Sequence, residues 1–109
     1  INEGKMIYKL TDLGRDALGE PFDENKWDGV WRIVIFDIPE KRRVVRNLFR
    51  RRLKDWEFRN WQRSVWITKK NVTQKLRELI SDLEIDQWVA IVESNDPALH
   101  NIILNDRIT

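Results

Sequence analysis

The chain has 109 residues, 20 Lys and Arg against 18 Asp and Glu, and a formal charge of +2, with 41% hydrophobic and 35% charged residues. That is a globular composition, enough for one domain or for one domain plus the end of another, and it excludes a disordered chain. It contains no cysteine, which rules out disulfides and thiolate metal sites and fits a reducing compartment. No stretch approaches the roughly twenty apolar residues that span a bilayer, and the start lacks a signal-peptide pattern. The expectation is a cytoplasmic protein with no membrane partner. The first residue is Ile rather than Met, as in a piece of a longer protein or a processed chain.

In chain order, residues 1–19 read as a short strand, with Met6, Tyr8 and Leu10 alternating with Ile7 and Lys9. Thr11 then caps a brief helix that Gly19 stops. Residues 1–19 are thus either the end of a separate small domain or an N-terminal arm packed on the main one. Residues 20–29, EPFDENKWDG, are polar and contain a proline and a glycine, the composition of a linker.

WRIVIF, residues 31–36, is apolar apart from Arg32, as in a central strand covered on at least one face. Asp37-Ile38-Pro39-Glu40 then reads as a helix start, with Asp37 able to accept from first-turn amides and Pro39 where no donor is needed. The predicted helix runs from about Glu40 to Trp56, and Val45, Leu48, Phe49, Leu53 and Trp56 fall on one face. Lys41, Arg42, Arg43, Arg46, Arg50, Arg51, Arg52 and Lys54 cover much of the rest, with no acid between Lys41 and Lys54. Eight of the twenty basic residues lie in these fourteen positions, so the remaining ninety-five carry a formal −6. Residues 57–68, EFRNWQRSVWIT, read as a strand bent or bulged near Gln62–Ser64. A capping box at Asn71-Val72-Thr73-Gln74 opens a second helix striped by Val72, Leu76, Leu79, Ile80 and Leu83, and Trp88–Glu93 is the last strand. The tail from Ser94 holds the single histidine, His100, and an apolar run, Leu99–Leu104, suited to cover an edge strand or meet a partner.

This order, β-α-β-β-α-β, predicts a ferredoxin-like α+β sandwich over residues 30–93 with both helices on one face of an antiparallel sheet. The opposite face carries tryptophans and needs cover, for which a second copy of the chain is the economical choice.

Phe36-Asp37-Ile38 at the end of a hydrophobic strand, the Arg-rich helix, and Gln62, Ser64, Val65 and Trp66 in the next strand resemble the small CRISPR adaptation endonucleases of the Cas-two family. A closer match is the Cas-two-like middle domain of phenylacetate-repressor-like (PaaX-like) transcriptional regulators. Those regulators place a winged helix first, joined by a linker ending in Trp-x-x-x-Trp, here Trp27 and Trp31. Residues 1–19, a strand followed by LTxxGxxxL, resemble the end of a winged-helix domain and agree with that arrangement. Both families usually have Gly where this chain has Glu57.

The resemblance implies two alternatives for function. In the endonuclease family the residue equivalent to Asp37 faces its copy across a dimer axis and holds a divalent metal, so the enzyme reading makes Asp37 catalytic and Mg²⁺ its cofactor. Asp37 as a simple helix cap is the competing structural role. In the regulator reading there is no catalysis, and a homodimer binds the DNA backbone through its cations. Arg42, Arg46 and Arg50, spaced by four, with Arg43, Lys54 and Arg63 beside them, are the expected contacts.

Overall fold

The computed structural model describes residues 22–105. The elements are β1 (Trp31–Phe36), α1 (Arg43–Asp55), β2 (Arg59–Gln62), β3 (Val65–Thr68), α2 (Thr73–Leu83), β4 (Val89–Ser94) and α3 (Pro97–Asn105). Short 3₁₀ turns at Glu24–Lys26, Glu40–Arg42 and Asp86–Trp88 join them. The four strands form one antiparallel sheet in the order β2-β3-β1-β4. This α+β arrangement, with each of α1 and α2 linking two strands that are not neighbours, is compatible with a ferredoxin-like sandwich.

The sheet has two unequal faces. Val34, Phe36 and Trp66 point towards α1 and α2, where Val45, Phe49, Leu53, Leu76, Leu79 and Leu83 are almost fully buried. Trp31, Ile33 and Ile67 point the other way and are covered by Ile103 and Leu99 of α3 and by Trp27. Sequence reasoning assigned that cover to a second copy, but much of it comes from the chain's own C-terminal helix. Ser94 Oγ accepts from the Asp96 N–H and Asp96 Oδ1 from the Ala98 N–H, so Asp96 caps α3 and Pro97 occupies its first turn, where no donor is needed.

One local expectation is sharpened and two are corrected. Residues 57–68 form a hairpin of two strands, with a register shift at Asn60/Gln62 and a turn carrying Arg63 at φ 31°. No side-chain oxygen caps either helix on the inner face: α1 begins from a 3₁₀ turn preceded by Pro39, and Val72 stands at the start of α2. Asp37, the expected cap, instead donates its backbone N–H to Trp88 O at 3.0 Å.

Both inner helices end alike. In α1 the Phe58 N–H returns to Leu53 O and the Glu57 N–H to Lys54 O; in α2 the Ile85 N–H returns to Ile80 O and the Glu84 N–H to Ser81 O. These are paired Schellman bonds, which require a left-handed residue between helix and exit. Glu57 (φ 65°) and Glu84 (φ 56°) hold those positions, where glycine carries no Cβ penalty. Glu57 is partly compensated, because its carboxylate accepts from the Phe22 N–H at 3.2 Å and from Lys70 Nζ at 3.1 Å. Glu84→Gly should therefore raise stability by about 1 kcal/mol. Glu57→Gly should gain less, since it also gives up those two contacts; urea unfolding of the two variants beside the parent measures the difference.

At the far end of β1, Arg32 is 4% exposed on the helix-side face of the sheet. Its guanidinium grips Asp28 through two bonds of 2.9 and 2.8 Å, donates to Val30 O and Lys69 O, and reaches Glu93 Oε2 at 3.3 Å. Glu93 also accepts from Thr73 Oγ1 at 2.6 Å. The Arg32 hydrogen bond holds the Asp28 carboxyl below its ordinary value, and the Thr73 hydroxyl, followed by Arg32, lowers Glu93. A depressed folded-state pKa adds stability above the unfolded value that disappears as pH falls through the folded one. With unfolded values of 3.8 and 4.5, the loss belongs below about pH 4.5. Asp28→Asn should unfold more easily at neutral pH, and its stability should decline less steeply than the parent's between about pH 4.5 and 2. Chemical unfolding across that range checks the sign.

Candidate nucleic-acid interface

The phase of α1 sorts its cations. Val45, Phe49 and Leu53 are turned to the core. Arg43, Arg50, Arg51 and Lys54 project from the opposite side as an exposed stripe, with Asn47 among them, and Lys41 is exposed just ahead of the helix. Among the described residues Lys41, Arg51 and Lys54 form no ion pair. Arg50 lies with its guanidinium carbon 6.0 Å from the centre of the Phe36 ring, and Arg43 approaches Glu40 at 3.7 Å with both side chains about 70% exposed. An exposed pair of that length is screened by water and neutralises little.

The remaining arginines are engaged within the chain. Arg42 Nη2 donates to Leu83 O at 3.0 Å, satisfying a terminal carbonyl of α2, and its guanidinium lies 5.7 Å from the Trp88 ring centre. Arg46 pairs with Glu40 at 2.9 Å and Arg52 with Asp55 at 2.9 Å. Both are largely covered, at 21% and 14% side-chain exposure. The acids they use bracket the basic run. Of the residues expected at the interface, Arg42 and Arg46 are thus turned to intramolecular work, Arg43, Arg50 and Lys54 face solvent, and Arg51 joins them.

Arg63 is exposed in the β2–β3 turn. The neighbouring Ser64 O accepts from the Phe36 N–H at 3.1 Å, so this turn lies against the end of β1. The same end is reached by Arg50 through Phe36 and by Arg42 through Trp88, whose carbonyl holds the Asp37 N–H. Cations from a helix and a hairpin are therefore gathered at one end of the sheet.

Asp37 lies at that end, exposed, and its carboxylate has no hydrogen bond among the described residues. Among those residues no group of three or more His, Cys, Asp and Glu could hold a metal ion. Mg²⁺ is usually bound through one or two carboxylates together with water and substrate phosphate, so Asp37 alone supplies the smallest protein donor set of that kind. His100 packs in the outer layer, 5.4 Å from Trp27 and 5.9 Å from Trp31 between ring centres.

An antiparallel α+β layer structure carrying a single densely basic helix is the class these observations define. The chain belongs to the family described as the PaaX protein central Cas2-like domain, whose model matches residues 24–102. That match takes in the linker tryptophan, all four strands and most of α3. No curated protein and no solved structure matched in the corresponding comparisons. Among the described residues no helix is long and apolar enough to cross a membrane. The segment resembling the end of a winged helix, residues 1–19, lies outside the described residues.

Proposed function

We propose that this chain is the dimerising, DNA-backbone-binding domain of a PaaX-like transcriptional regulator, ferredoxin-like in fold and without catalysis of its own. The observation that carries the reading is the exposed stripe Arg43, Arg50, Arg51 and Lys54, weakly neutralised by the chain itself. Cations held this close on a rigid helix repel one another, and a row of phosphates relieves that repulsion while releasing the counterions condensed on DNA. Contacts of this kind fix position and affinity and carry little sequence information, so operator choice belongs to another element. Dimerisation is supported by the outer sheet face, where Ile35 and Val92 remain 44% and 42% exposed beside α3. Such apolar surface favours a partner surface of the same kind.

Anisotropy titrations of duplex DNA with the full-length regulator test the DNA assignment. Replacing Arg43, Arg51 and Lys54 together by Gln should weaken binding about equally for all sequences. The slope of log K against log salt should become shallower by about 3, roughly one for each phosphate contact removed. An unchanged slope would show that the stripe does not meet DNA. For the dimer, sedimentation of Ile35→Glu should show a monomer where the parent shows a dimer, with the circular dichroism of the two alike. A parent that sediments as a monomer refutes this part of the reading.

A further inference from the structure

On the outer face of the sheet, between the linker and the end of α3, lies a cavity of about 600 Å³. That volume falls within the range of small-molecule sites. Trp31, Phe58, Ile67 and Ile103, all buried, supply apolar wall. Glu24, Glu57, Arg59 and Lys69 supply the charge.

Three of these four charges are already matched. Glu24 takes Lys69 Nζ at 2.8 and 2.9 Å on its two oxygens, and Lys69 also lies 4.4 Å from the centre of the Trp27 ring. Glu57 is held by Lys70 Nζ and the Phe22 N–H. Arg59 is exposed and forms no ion pair among the described residues. Trp31, 7% exposed, adds an indole N–H without a hydrogen-bond acceptor. What the cavity lacks is therefore negative charge and an accepting oxygen, set beside apolar wall.

We propose that this cavity binds an amphipathic carboxylate, an apolar body ending in a single carboxylate that pairs with the Arg59 guanidinium. A guanidinium fork matches a carboxylate in two parallel bonds, and the apolar body gains by leaving water against Trp31, Ile67 and Ile103. The occupant would touch Phe22 and Glu24, which precede β1, and Ile103 and Leu104 of α3. One ligand would thus tie the linker to the C-terminal helix. This site is separate from the cation stripe of α1 and stands or falls independently of DNA binding.

Octanoate and its neutral counterpart octanamide, titrated calorimetrically into the full chain, form the test. Octanoate should bind saturably with one site per chain, and octanamide at least about tenfold more weakly, the loss of one well-placed ion pair. Arg59→Gln should weaken octanoate by a similar factor while leaving octanamide unaffected. Arg59→Lys should retain part of the affinity. Since the Arg59 side chain is exposed and makes no hydrogen bond or ion pair among the described residues, these variants should keep the parent's circular dichroism and melting temperature. The proposal is overturned if octanoate shows no saturable binding, or if Arg59→Gln binds it as tightly as the parent.

Discussion

The Arg32 guanidinium is the constraint around which the rest of the fold is arranged. A charge taken out of water on a central strand is strongly unfavourable unless its donors are met. The chain meets them from the linker, β1's own approach, the β3–α2 connection and β4. Asp28 must come close, and the turn that brings it uses Gly29 at φ 82°, a left-handed conformation that a side chain would oppose. Val30 then donates its N–H back to Asp28 Oδ1, closing the turn. One buried cation thereby fixes where the linker ends and β1 begins.

That fixed linker builds the second layer. Once Asp28 is anchored, Trp27 lies edge-on to Trp31 at 5.4 Å, with its indole N–H bonded to Val30 O at 2.8 Å. Lys69 lies near both rings and is held there by Glu24. His100 of α3 packs against the same two rings. The outer face is therefore covered from both ends of the described chain. Among the described residues, the strip around Ile35, Ala90 and Val92 stays exposed on that face, much less than a bare sheet would offer.

Much of this architecture was legible in the sequence where periodicity is strong. The stripes Val45-Phe49-Leu53 and Leu76-Leu79-Ile80-Leu83 dictate both inner helices, and WRIVIF could be little else than a buried strand. The break in residues 57–68 was legible near Gln62–Ser64 only as a bend, because the turn there lacks the usual Gly or Asn and places Arg63 at positive φ. The last helix was missed although Asp96-Pro97 is a start signal, because an apolar run of this length suits a strand equally well. Arg32 was noticed only as an interruption. Asp28, four residues before it, was the available hint, but Glu93 is sixty-one residues away and no spacing rule connects them.

The site was legible in composition and blurred in geometry, and the reason lies in helical phase. At about 100° per residue, Arg46 and Arg52 fall roughly 60° to either side of the direction set by Val45, Phe49 and Leu53. Their stems cover the edges of the core and their heads reach the flanking acids Glu40 and Asp55, the usual fate of a long cation beside an apolar face. Arg43, Arg51 and Lys54 lie more than about 120° from that direction, too far to be drawn in. Spacing by four groups Arg42, Arg46 and Arg50 on one line but does not say which way the line faces. The buried residues of the same helix do. Counting phase from the core outward, instead of from one cation to the next, separates the arginines that hold the fold from those left in solvent.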